Sequence, residues 1–240
     1  MRKSIQKSSA TVTVSRTMES AILSRYGLPE GSVRVIHNGV DPDMMNRPML
    51  SERIFPQPYI LAVGHIEKRK NLSMLVSAFG MISDRWNGSL VLAGKESHLV
   101  QEIRAIAAEG RIADRVYFTG SVSDVVMRIL LRDCEILACP SLYEGFGMTL
   151  LEGMAMNKPV VASRIPAHEE VGGHGVLFVD TGGEMTVNFA NALISLIENS
   201  SLQNQFISSG NERKRAFSWD SASEKLSTLY RSLAEQRHEE

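Results

Sequence analysis

Two stretches of this chain carry residue types that do chemistry. The first runs Pro140-Ser141-Leu142-Tyr143-Glu144-Gly145-Phe146-Gly147-Met148-Thr149-Leu150-Leu151-Glu152. Glu144 and Glu152 stand eight positions apart, and two glycines precede an apolar-periodic segment. If that segment is a helix, Glu144 lies on the loop before it and Glu152 lies inside it. The glycines then allow backbone N–H groups to form a nest at the helix start. Carboxylates accept hydrogen bonds and a nest donates them, which suits a polyhydroxylated ligand; a carboxylate pair also suits acid/base work. The plainer alternative is a solvent-facing Glu beside a capping glycine loop. The second stretch is Gly64-His65-Ile66-Glu67-Lys68-Arg69-Lys70-Asn71, with three consecutive cations ahead of another helical pattern. A glycine for close backbone approach, free N–H groups and the charges of Arg69 and Lys70 together favour an anion such as a diphosphate. A solvated basic loop is the competing reading. Weaker signals of the same kind are Gly94-Lys95 and Thr119-Gly120-Ser121-Val122, which read equally well as ordinary turns.

These residues need a frame that brings separate loops together. Short apolar runs at 11–14, 33–36, 59–63, 90–93, 116–118, 136–138, 160–162 and 176–179 alternate with helical patterns at about 16–26, 70–83, 97–109, 123–132, 148–156 and 185–197. Runs apolar on both faces suit strands covered by helices on both sides. The alternation predicts an α/β fold built on a doubly wound parallel sheet, in which ligands sit at the carboxyl ends of strands. Both stretches above directly follow such runs. Residues 199–214 and 219–235 read as two further helices, and Trp219, Leu226, Leu229, Tyr230 and Leu233 predict one apolar face on the last. The one long irregular stretch, about 37–58, holds four prolines and separates a short β-α-β piece from the main sheet.

Composition sets broad limits. The chain has 240 residues, is 43% hydrophobic and 22% charged, and carries a formal net charge of -1, so no bulk basicity points to nucleic acid. No apolar run approaches the roughly 20 residues of a membrane span, which leaves at most peripheral membrane association. The only cysteines, Cys134 and Cys139, flank an apolar run and read as buried thiols, which fits a reducing cytoplasmic setting. Among the histidines, His65 and His168 read as polar loop residues rather than catalytic bases, and His37 as part of the linker.

Four ordered segments resemble the family 4 glycosyltransferases. Glu144 to Glu152 resembles their E-x7-E motif with its E-G-F-G core. Val35-Ile36-His37-Asn38-Gly39-Val40-Asp41 is similar to their N-G-V-D interdomain linker, the Gly64–Asn71 loop to their G-x5-K-N phosphate loop, and Pro166-Ala167-His168-Glu169-Glu170-Val171-Gly172 to their P-E-x-x-G turn. The resemblance implies a Rossmann-like sheet forming the C-terminal half of a GT-B fold, with C-terminal helices. It divides the chain into 1–45, the end of an N-terminal domain with its linker; 46–218, the donor-binding domain; and 219–240, a crossing helix.

It also implies roles. Lys70 would hold the diphosphate of a UDP- or GDP-type sugar donor. His65 stands where relatives often carry Arg, leaving Arg69 to supply that charge. Glu152 would bind the ribose hydroxyls, and Val122 would lie near the base. Glu144, as the catalytic-site carboxylate, would hold the transferred sugar with the backbone N–H groups of Gly145, Phe146, Gly147 and Met148. No metal or other cofactor is implied, and transfer would retain anomeric configuration, as in polysaccharide biosynthesis. The acceptor-binding domain of the family is largely absent from these residues, which implies a separate acceptor-domain subunit or a fragment that holds its donor without transferring it unaided. The alternative function is a non-catalytic module that senses nucleotide sugars. A dehydrogenase-like protein is disfavoured, because no G-x-G-x-x-G follows an early strand.

Overall fold

A computed structural model describes residues 2–41, 43–44, 51–55 and 57–239. The chain begins with a short helix α1 (Arg2–Lys7) that sequence patterning does not predict. A parallel pair follows, β1 (Thr11–Thr13) and β2 (Val33–Val35), joined by α2 (Arg16–Tyr26). Helix α2 has clear punctuation: the Ser15 hydroxyl accepts from Met18 N–H at its start, and Gly27 closes it with φ 62°.

The main sheet has six parallel strands: β3 (Tyr59–Val63), β4 (Ser89–Ala93), β5 (Val116–Gly120), β6 (Ile136–Cys139), β7 (Val160–Arg164) and β8 (Leu177–Asp180). Their spatial order is β5-β4-β3-β6-β7-β8. The chain therefore builds outward from β3 in one direction, then returns past it and builds the other way. This is the doubly wound order whose reversal opens a crevice between the two central strands, here β3 and β6. The connecting helices are α3 (Leu72–Ile82), α4 (Leu99–Glu109), α5 (Asp124–Asp133), α6 (Met148–Ala155) and α7 (Pro166–Gly172). Helices α8 (Met185–Glu198), α9 (Ser200–Arg213) and α10 (Trp219–Glu239) complete the chain.

Alternate strand residues face opposite layers, as a pleated sheet demands. Ile60, Ala62, Leu90 and Leu92 pack with α3, α4 and α8; Tyr59, Leu61, Val91, Ala93 and Leu137 pack with α5 and α6. Both sheet faces are thus dry, which accounts for the uninterrupted apolar runs. Both cysteines are free and buried, as expected, and burial pushes each thiol up to about 12.

Besides α1, the structure differs from sequence expectation in three places. The segment read as a turn at Pro166 is a helix, with proline at its first position, where no N–H is needed. The stretch expected to be irregular is anchored at one end: Val40 bridges to Ser218 and its N–H donates to the Phe217 carbonyl at 3.2 Å. The rest of that expectation, at 42, 45–50 and 56, lies outside the described residues. Last, α10 does not bury one continuous face. Leu229 is buried, whereas Trp219 and Tyr230 are 52% and 64% exposed. At 100° per residue these two project about 20° apart, on the side of the helix that is most open to solvent.

Candidate functional site

The crevice between β3 and β6 is built by the loops that leave them. Strand β3 ends at Val63, and Gly64 follows with φ 133°. That φ is one other residues rarely adopt, and the missing Cβ, which would lie 2.6 Å from Lys70 Cε, leaves room for the lysine stem to fold back over the strand end. A 3-10 turn over Lys68–Lys70 then presents the cations. The second loop is stitched to the first: Leu142 N–H donates to the Arg69 carbonyl at 2.7 Å.

That stitch brings Glu144 against both cations. Lys70 Nζ lies 2.7 Å from Glu144 Oε1 and Arg69 Nη1 2.5 Å from Oε2. The Ser141 hydroxyl donates to Oε1 at 2.9 Å, and Arg69 also pairs with Glu67 at 2.7 Å. Burial raises the Glu144 carboxyl, but the hydrogen bond and charge of Lys70, then Ser141 and Arg69, outweigh it and hold it below the ordinary range. Glu144 is therefore a fixed anion.

Glu152 sits on α6 in a contrasting setting. Burial raises its carboxyl, only the charge of Lys70 opposes that, and no hydrogen bond or ion pair reaches it among the described residues. Helix α6 itself starts at Gly147, with φ 112° and no side-chain cap, so its first N–H groups remain available as donors. A cavity of about 240 Å³ opens here, lined by Lys70, Ser141, Glu144, Gly147, Met148 and His168 among others. Among the described residues no cluster of three His, Cys, Asp or Glu is placed to hold a metal ion.

The expected site residues thus divide. Lys70, Arg69, Glu144, Phe146, Gly147 and Met148 converge at the cavity or its edge, whereas Glu152, within reach of the Lys70 charge, does not line it. Gly145 borders it, and its carbonyl accepts from Ser15 at 2.6 Å. Phe146 has its backbone in the loop, but its ring is buried beside His37 and Phe217, with centroids 5.9 Å from each. His65 is exposed on its loop, and Val122 packs against the layer beside α5; neither side chain lines the cavity.

Sequence reasoning missed three residues. Ser141 fixes Glu144, and its spacing of three is the only signal. His168 is 1% exposed on α7, not a polar loop residue. Glu170 holds the N-terminal unit: its carboxylate accepts from Arg16 N–H at 2.8 Å and Thr17 N–H at 3.1 Å, and lies 2.8 Å from His37 Nε2.

Comparison with known proteins agrees with this layout. The family model described as Glycosyl transferases group 1 matches residues 52–213, and that described as Glycosyltransferase Family 4 matches residues 1–44. The O-antigen chain mannosyltransferase RfbU of Salmonella typhimurium is 28% identical over 184 residues, covering 77% of this chain and 50% of its own length. The phosphatidyl-myo-inositol mannosyltransferase of Mycobacterium leprae is 27% identical over 205 residues, covering 83% of this chain and 53% of its own. The chain therefore spans about half the length of these curated relatives. Among solved structures, the sucrose-phosphate synthase of Thermosynechococcus elongatus superposes with TM-score 0.81 at 24% identity, over 98% of this chain and 61% of that one. Anabaena Alr3699/HepE in complex with UDP and glucose also gives 0.81, at 18% identity, over 97% and 68%. These likenesses establish a shared fold.

Proposed function

The chain belongs to the group 1 glycosyl transferases, and from that premise we propose that its β3–β6 crevice binds a nucleoside diphosphate sugar for retaining transfer to an acceptor. One observation carries the reading: two cations, a cation-bound carboxylate and an uncapped helix start converge where the sheet order reverses, with the unpaired Glu152 on that same helix within the field of Lys70. Lys70 and Arg69 supply the positive charge that a diphosphate needs, as ligand and as leaving group. Glu152, lacking a partner, accepts from the ribose hydroxyls. Glu144 and the N–H groups of Gly145 to Met148 hold the sugar. Val122 and His65 stand toward the base and the outer phosphate edge. In this reading transfer requires no metal, and the cations with the helix start stabilise the leaving diphosphate.

Donor binding in this scheme is an exchange of partners. The cations pass from Glu144 to the diphosphate, and sugar hydroxyls take up Glu144. Acceptor attack on the face the diphosphate leaves accounts for retention, unlike the paired-carboxylate hydrolysis of glycosidases. Residues 1–45 serve as the end of the acceptor-side domain, 46–218 as the donor domain and 219–240 as the crossing helix. Because the relatives are about twice as long, acceptor binding is assigned to a further domain, on the same polypeptide or a cytoplasmic partner.

A thermal-shift screen of UDP-, GDP-, ADP- and dTDP-sugars tests the reading, because a ligand of the native state raises stability by mass action. One donor class should raise the midpoint above the rest, and a flat response across the panel would sink the proposal. Glu144→Ala should leave bare nucleotide affinity unchanged or improved, since it releases both cations, while weakening the sugar-bearing donor.

A further inference from the structure

His168 occupies a position that none of the roles above uses. It is the third residue of α7, 1% exposed, and its ring lines the cavity shared with Lys70 and Glu144. Its Nδ1 lies 3.0 Å from the Ser163 carbonyl oxygen. A carbonyl only accepts, so the proton sits on Nδ1 and the neutral ring carries its lone pair on Nε2. The Ser163 hydroxyl donates in turn to the Ser141 carbonyl, which ties the imidazole to the loop that carries Glu144. No described residue hydrogen-bonds to Nε2. The ring edge stands against Gly147, where an added Cβ would lie 3.4 Å from His168 Cδ2, and so faces the space in front of the α6 start. Nε2 is therefore an acceptor open to the cavity and free to take a hydrogen bond from a ligand there.

We propose that His168 is a sugar-recognising residue of this cleft, with Nε2 accepting a hydrogen bond from one hydroxyl of the donor's glycosyl group. This rests on the reading of the crevice as a nucleotide-sugar site. A diphosphate at neutral pH has no hydrogen to give to Nε2, whereas a sugar ring carries several hydroxyl donors. Burial lowers the affinity of the ring for a second proton, a trend that the Ser163 bond and the charge of Glu144 oppose and Lys70 assists. The group thus remains an acceptor alongside the anionic Glu144, and the two acceptors select hydroxyl positions that the helix N–H groups, as donors, do not distinguish.

The test uses the full chain with UDP-glucose and GDP-mannose as donors and UDP and GDP as sugarless controls, read by calorimetry. His168→Asn keeps a donor toward the Ser163 carbonyl and removes Nε2. It should bind the bare nucleotides within about twofold of the parent and the preferred nucleotide sugar about tenfold more weakly, the scale of one hydrogen bond. A deoxy series of that donor should contain one compound that the parent binds about tenfold more weakly but whose deletion costs the variant nothing further, the signature of a coupled pair. Additive losses at every hydroxyl overturn the proposal, as does an equal loss for bare nucleotide and nucleotide sugar. Nitrogen-15 NMR of the unaltered protein decides the matter without a variant: the His168 Nε2 resonance should move on adding nucleotide sugar and stay with bare nucleotide. A resonance unmoved by a donor that binds overturns the proposal alone. Binding of nucleotides without preference for either sugar overturns the proposal and leaves a nucleotide site, and no binding of any probe overturns the reading beneath it.

Discussion

Glu144 and Glu170 are carboxylates of one type, each with its proton affinity lowered by its surroundings, yet they are held in opposite ways. Glu144 is held by Lys70, Arg69 and Ser141, which are all side chains. Glu170 is held by two backbone N–H groups at the start of α2, the Thr17 hydroxyl and His37. Side-chain cations can turn toward a ligand and exchange partners, whereas backbone donors are fixed by the helix they begin. The first arrangement is reversible and suits a binding site. The second locks the N-terminal β-α-β unit onto α7, beside the loop that carries Glu144.

Breaking the scaffold side should have the largest effect. Glu170→Ala leaves the Arg16 and Thr17 N–H groups at the α2 start without their acceptor and His37 unpaired, while the Ser15 cap remains, and should cost about 3 kcal/mol in denaturant unfolding, in line with loss of several charge-assisted hydrogen bonds. The sign of its pH dependence follows. Burial raises the Glu170 carboxyl, but the Arg16 bond, His37 and the Thr17 bond bring it below the ordinary 4.5. Its stabilisation is therefore complete above 4.5 and is lost as pH falls toward the lower native value. Glu170→Gln should flatten acid unfolding in that window, and an unchanged acid limb would show that the seam does not bear stability.

The binding side comes next. Lys70→Ala should weaken nucleoside diphosphate binding by about 1.5–3 kcal/mol in calorimetry, with little change in unfolding midpoint. A collapse in stability instead would place Lys70 with the scaffold. Glu152→Gln sharpens the contrast further. The native site raises this carboxyl, so its ionisation above 4.5 opposes the fold. The amide should stabilise the ligand-free chain by up to about 1 kcal/mol while weakening nucleotide binding, the trade expected where a site carries an unpaired charge. The smallest effect belongs to α10: Trp219→Ser and Tyr230→Ser should each change stability by less than about 0.5 kcal/mol, because both rings are exposed. A larger loss would mean that a partner surface covers that side of the helix in solution.

The sequence alone determined the strands, because burial on both sheet faces writes itself as unbroken apolar runs, and it determined most helices, whose caps Ser15, Ser123 and Asn199 are local signals. It also marked Lys70, Glu144 and Glu152, because glycine turns after strands are local too. It missed α7, since a proline reads as a break even where it opens a helix. Only the tertiary structure decided that Glu144 pairs with Lys70 and Arg69, 74 and 75 positions away. It alone put His168 behind Gly147 and fixed Glu170 to an α2 start more than 150 positions earlier. These are contacts between loops that meet because β3 and β6 are neighbours, and strand order is set by packing of the whole sheet rather than by any local pattern.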